Sequence, residues 1–173
     1  MNSEAMDSFA SRDDFIRSLT ERINKDAARC HGCGQVVVQS FLDQMGVEDR
    51  LLSKASSPFF AGLALTGNTC GALLGPLMML GMVFGRGDIN QGLPALLENI
   101  RPMRKLIKIF LEKNQGQIDC GAITGVDMAD PKQSHEYFSS GGLERCGLLL
   151  AETAGEAAGL IWDHWRDENS TEK

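Results

Sequence analysis

The stretch that decides the fold is Thr69-Cys70-Gly71-Ala72-Leu73-Leu74-Gly75-Pro76-Leu77-Met78-Met79-Leu80-Gly81-Met82-Val83-Phe84. It lies in a longer run, from Ala55 to Gly85, that holds no charged side chain. A bilayer-spanning helix needs about 20 predominantly apolar residues. Here Pro58, Thr66, Asn68 and several glycines interrupt the run, and Pro76 disturbs any helix through it. The reading is therefore a buried helix from Cys70 to Phe84, apolar all round, at the centre of a helical bundle. The turn cluster Thr66-Gly67-Asn68-Thr69 caps its start. Gly71, Gly75 and Gly81 let a neighbouring backbone approach closely.

Working outward, residues 11–29 place Phe15, Leu19 and Ile23 at four-residue spacing among charges, an amphipathic helix with Ser11 as N-cap. The corner Cys30-His31-Gly32-Cys33-Gly34 follows. Residues 35–45 contain the β-branched run Val36 to Val38, yet Val37, Phe41 and Met45 keep helical spacing and Gly46 closes the segment, which predicts a helix. Residues 48–56 form a short turn with Leu51 and Leu52. Downstream, Leu93 to Lys113 reads as a helix with a stripe of Leu96, Ile100, Met103, Ile107 and Phe110 or Leu111, bent or broken at Pro102. Residues 116–130 read as loop, 131–142 as turn and connection, and Leu143 to about Trp165 as the last helix, with a frayed polar tail from Arg166. No strand alternation and no fixed-period repeat is present. The expectation is an all-α, single-domain bundle of about five or six helices. Its parts are an N-terminal helical extension (1–29), a cysteine-bearing helical domain (30–165) and a polar tail (166–173).

Composition bounds the function. The 173 residues are 43% hydrophobic and 23% charged, ordinary for a globular domain, with a net charge of -6. No basic stripe exists, which argues against nucleic acid; the interrupted apolar run argues against a membrane span. Residues 1–15 have neither a cationic nor an apolar signal-peptide region, so the expected compartment is the reducing cytoplasm. There, clustered cysteines serve redox exchange or metal binding more often than crosslinking, and an odd count of five suits a closed disulfide framework poorly.

Four of those five cysteines are followed by glycine: Cys33-Gly34, Cys70-Gly71, Cys120-Gly121 and Cys146-Gly147. Gly fills 19 of 173 positions, so composition alone would pair a given Cys with a following Gly about once in nine. Cys33, Cys70 and Cys146 are each predicted in the first turn of a helix, where backbone N–H groups and the helix dipole favour a thiolate. Cys30 makes a C-x-x-C with Cys33.

The text Cys70-Gly71-Ala72-Leu73-Leu74-Gly75 contains C-G-A-x-x-G. Cys33 lies upstream, Cys120 and Cys146 downstream. Cys33-Gly34-Gln35, Leu80-Gly81 before Phe84-Gly85-Arg86, and Cys120 before Gly125-Val126-Asp127 accompany it. In these features the chain, from about Cys33 to Ala158, resembles the C_GCAxxG_C_C family of redox-active proteins, for which no reaction is established. The resemblance implies that Cys33, Cys70, Cys120 and Cys146 act together, and the expectation is that they gather near one end of the bundle. The departures are the additional Cys30, the N-terminal helix, Gly34 where many members have Ala, and Pro76. Some haem proteins carry a related domain, but the corner here is C-H-G-C-G and not C-x-x-C-H, which excludes haem attachment through that motif.

Two chemistries compete for these thiols. In one, two cysteines cycle between dithiol and disulfide with a redox partner or small thiol, needing no cofactor. In the other, they bind zinc or an iron–sulfur cluster, although neither a repeated C-x-x-C nor a ferredoxin spacing occurs. A non-catalytic helical oligomer with structural cysteines is the third reading. Cys70 is the first choice for the reactive thiolate, with Cys33 or Cys120 as resolving partner. His31 can tune a thiolate or ligate a metal, or be a simple corner residue. His135, His164, the Met78-Met79-Met82 group and the basic group Arg101, Arg104, Lys105 and Lys108 read as structural or solvated.

Overall fold

A computed structural model describes residues 1–29 and 32–170; Cys30 and His31 lie outside the described residues, and so do the readings attached to them. Ser11 accepts the Asp14 N–H and starts helix α2 (Arg12–Ala27), after a short helix α1 (Ser3–Asp7) capped by Asn2. Phe15, Leu19 and Ile23 of α2 are fully buried, as their spacing predicts. They meet the Ala- and Gly-rich face of the last helix, α10 (Leu143–Ser170), along which α2 packs. Ala154, Ala157 and Ala158 are buried there, Gly155 lets Ile16 and Thr20 approach, and Phe15 lies 5.4 Å from the Trp162 ring. Small side chains on one helix thus seat large ones on the other, the arrangement that fills a core without voids.

Helix α3 (Cys33–Gln44) forms despite its three valines, because all three are buried and packing overrides their weak helical preference. Asp49 caps α4 (Arg50–Ala55). The apolar central helix is α5 (Gly71–Phe84), packed on α3 and α10. Beyond it the chain breaks at Ile100 into α6 (Gly92–Asn99) and α7 (Arg101–Lys113), with Pro102 in the first turn of α7, where its missing N–H costs nothing. Among the described residues, the five helices of twelve or more residues, α2, α3, α5, α7 and α10, make an all-α bundle.

Several local expectations are corrected. Leu96 faces outward, and Leu106 and Phe110 carry the buried side of α7; the break at Ile100 lets α6 turn its leucines away. Ile89, Leu93 and Leu97 are more than half exposed. The predicted loop 116–130 contains a short helix α8 (Cys120–Thr124). The predicted connection 131–142 contains α9 (Pro131–Tyr137), capped by Asp130, and a π-type turn over Phe138–Gly142. Helix α10 does not fray at Arg166 but continues to Ser170, with Asn169 bonding the Trp165 carbonyl and His164 3.3 Å from Glu168. Among the described residues no single helix is long and apolar enough to cross a membrane.

Candidate functional site

Cys70 and Cys120 are far apart in sequence and are brought together by one antiparallel bridge, Thr69 to Asp119. The Cys70 N–H donates to the Ile118 carbonyl (2.9 Å) and the Cys120 N–H to the Asn68 carbonyl (2.7 Å), while Gly121 N–H reaches the Gly67 carbonyl (2.8 Å). With Thr69 opposite Asp119, alternation along the two strands puts Cys70 and Cys120 on one face as diagonal neighbours. Each chain then turns directly into a helix. Cys70 is the N-cap of α5, and Cys120 is the first residue of α8, not a loop residue as expected.

Glycines bring in Cys33. An added Cβ on Gly71 would run into the Phe59 carbonyl oxygen and stand 2.7 Å from Cys33 Cβ; one on Gly75 would stand 2.8 Å from the Gly34 carbonyl oxygen. The C-G-A-x-x-G text is therefore a helix crossing. Gly71 and Gly75 of α5 receive the start of α3, which sets Cys33, the first residue of α3, beside Cys70. Cys146 comes from the first turns of α10, and its Sγ lies 3.6 Å from the Tyr137 hydroxyl. Tyr137, the one tyrosine in the chain, is held there because its ring lies against Gly142, where a Cβ would clash.

These four cysteines line one cavity of about 280 Å³, walled otherwise by aliphatic side chains such as Ala72, Ile123 and Leu150, with Thr124, Tyr137 and Arg145 as the other polar groups among the described residues. All four are free thiols, and Cys70 and Cys120 are buried. Tyr137 and Arg145 were not singled out from sequence. The available signal was an Arg directly before a Cys in a predicted first helical turn.

The thiols are not equivalent. A hydrogen bond from the Cys120 thiol holds Cys70 below the usual thiol range, against its burial and assisted by the Ala72 N–H. The same bond pushes Cys120 far up, reinforced by burial and by the other sulfurs, because Cys120 must keep its proton to donate it. Burial raises Cys33 to about 11, with the charges of Cys146 and Cys70 adding and the Ala61 N–H opposing. Burial also raises Cys146, opposed by the Tyr137 hydroxyl and by Arg145. Tyr137 itself is raised to about 12, mainly by burial.

The N–H that faces Cys33 belongs to an unusual segment. Ala61, Gly62, Leu63, Ala64 and Leu65 all have positive φ, from 46° to 72°, a left-handed turn in which four of five residues carry a Cβ. Such residues cost roughly 1–2 kcal/mol each. The turn is held from both sides: the Gly67 N–H donates to the Ala61 carbonyl, the Asn68 N–H to the Gly62 carbonyl, and the Thr66 hydroxyl to the Leu63 carbonyl. Strain maintained by surrounding bonds next to a thiol cavity is of the kind that accumulates at functional sites.

Among the described residues no group of three or more His, Cys, Asp and Glu side chains is disposed to hold a metal ion. His135 sits in α9 and lines an apolar surface groove with Phe60 and Phe138, away from the thiol cavity. The His164 ring lies tilted against Phe84, their centroids 4.6 Å apart.

No curated protein and no solved structure matches the chain. Residues 31–160 match a family described as "Putative redox-active protein (C_GCAxxG_C_C)"; Cys30 precedes the matched segment. That match spans most of the chain and contains all four cavity cysteines, and the protein belongs to the C_GCAxxG_C_C family.

Proposed function

We propose that the protein carries out dithiol–disulfide exchange with Cys70 as nucleophile and Cys120 as resolving thiol. The observation that carries this is the bridge that sets Cys70 and Cys120 as diagonal neighbours in one cavity, where a proton shared between them lowers Cys70 and raises Cys120. A low thiol pKa supplies nucleophile at neutral pH, and a protonated neighbour keeps the pair from repelling itself.

The cycle balances as follows. The Cys70 thiolate attacks one sulfur of a substrate disulfide, forming a mixed disulfide and expelling a thiolate. Cys70 no longer carries charge, so Cys120 loses its hydrogen-bond acceptor and gives its proton to the departing thiolate. The Cys120 thiolate then attacks the Cys70 sulfur, releasing the second substrate thiolate and leaving a Cys70–Cys120 disulfide. The substrate gains two electrons and the protein loses two; a cellular dithiol in a reducing compartment such as the cytoplasm returns them. Cys33 and Cys146, both raised, remain neutral thiols beside the pair.

Alkylation of the reduced protein across pH, located by peptide mass, tests this reading. Cys70 should react at lower pH than Cys33 or Cys146. Cys120→Ala should move the Cys70 transition up by about one pH unit or more, the worth of a hydrogen bond to a charged group. Cys120→Ser, which keeps a donor, should move it less. A Cys70 transition that ignores both substitutions would overturn the assignment.

A further inference from the structure

Among the described residues, the thiol cavity has one cationic side chain in its lining, Arg145. It is exposed at the mouth, its guanidinium 5.1 Å over the Tyr137 ring, and it has no carboxylate partner among the described residues. Apart from the Cys70 thiolate, the rest of the described wall is neutral, made of thiols, aliphatic groups and two hydroxyls. In a chain of net charge -6, the opening to the sulfurs is therefore marked by an unpaired cation. Besides its pull on the Tyr137 hydroxyl, a guanidinium over an aromatic ring has further donors of its fork for a planar anion.

Resting on the thiol-exchange reading, we infer that the site takes a small anionic disulfide, a molecule with a carboxylate within reach of its S–S bond, which Arg145 binds at the mouth of the cavity. The size agrees: about 280 Å³ is near the lower end of small-molecule sites, roughly 300–1,000 Å³. The position agrees too. Arg145 adjoins Cys146 on α10, and Cys70 and Cys120 line the same cavity, so a carboxylate on the guanidinium leaves the S–S bond inside among the sulfurs. The Tyr137 hydroxyl, which faces Cys146, is the second polar group available to the substrate. The reaction converts one disulfide into two anionic thiols and the Cys70–Cys120 dithiol into a disulfide, with two electrons transferred.

The test compares three disulfides of similar size on the fully reduced protein: dithiodipropionate (anionic), hydroxyethyl disulfide (neutral) and cystamine (cationic). In free solution a thiolate reacts slowest with the anionic one, because like charges repel, so a reversed order reports the protein. The expected result is a rate about tenfold higher for the anion than for the neutral compound, the worth of one charged hydrogen bond. High salt and Arg145→Met should each reduce that ratio toward one, and Arg145→Lys should restore part of it. An anionic rate no higher than the neutral one, or a ratio unmoved by Arg145→Met, overturns this inference while leaving thiol exchange standing. Rates that are the same in Cys70→Ser, or absent with all three compounds, overturn the thiol-exchange reading and this inference with it.

Discussion

Replacing Gly71 by Ala would add one carbon at the most crowded point of the α3–α5 crossing. That carbon runs into the Phe59 carbonyl oxygen and stands 2.7 Å from Cys33 Cβ and 3.1 Å from the Gly34 nitrogen. Two of these three atoms are backbone and cannot rotate away, so the helices must separate. Overpacking of this kind costs about 1–3 kcal/mol or somewhat more. Gly71 is the first residue of α5, where little helix propensity is gained in return, so a loss of about 3 kcal/mol is expected. At Gly75 the nearest atoms are 2.8–3.0 Å away and the position is helix-interior. A propensity gain of about 1 kcal/mol therefore offsets part of the strain, leaving a loss of about 1–2 kcal/mol. Gly81, in the same helix, has nothing within 4 Å of its added carbon. There Ala should stabilise by about 0.5–1 kcal/mol. Urea unfolding of the three variants, with the slope required to stay constant, reads these differences. The reasoning is refuted if Gly71→Ala lies within about 0.5 kcal/mol of the parent or if Gly81→Ala is equally destabilising.

Other consequences can be checked on the same protein. Cys33, raised to about 11, and Tyr137, raised to about 12, stay protonated in the native state after their unfolded counterparts, near 9.0 and 10.0, have ionised. From about pH 9 upward the unfolded chain therefore binds fewer protons. Their stabilisation is complete below that pH and is lost as pH rises through the native values. Cys33 alone should withdraw up to about 3 kcal/mol by pH 11, so the urea midpoint should fall over that range and fall less in Cys33→Ala. Cys70, depressed, acts oppositely, and its contribution disappears as pH falls through its native value. Ala64, exposed with φ 55°, should be more stable as Gly by about 0.5–1 kcal/mol, measured by thermal unfolding; a loss of stability would show that the left-handed turn is unstrained.

The bundle was legible where burial has a period. Phe15, Leu19 and Ile23 announced α2, Ser11 its cap, and the uncharged run around Cys70-Gly71 the central helix. Pro102 announced the break before α7. Leu96 was misjudged because a stripe continued through that break says nothing about the angle of the second piece. Helices α8 and α9 were missed although Asp119 and Asp130-Pro131 are ordinary start signals, since neither segment is long enough to show a hydrophobic repeat.

At the site, the C-G-A-x-x-G text pointed to close helix contact, and the residue order to four cysteines acting together. That the four gather in one place was expected; the route by which the fold does it was not readable. The bridge between Thr69 and Asp119 is too short to leave an alternating pattern, and the positive φ values of Ala61 to Leu65 are imposed by distant bonds. Tyr137 and Arg145 were invisible for a similar reason, since they matter only through the thiols that the fold sets beside them.

The measurement closest to the central claim is the intact native mass of anaerobically purified protein, before and after one equivalent of an organic disulfide, followed by peptide mapping. The account predicts bare protein that loses two hydrogens reversibly, with Cys70 joined to Cys120. A loss located at another cysteine pair, or a starting mass carrying zinc or an iron–sulfur core on these cysteines, would contradict it.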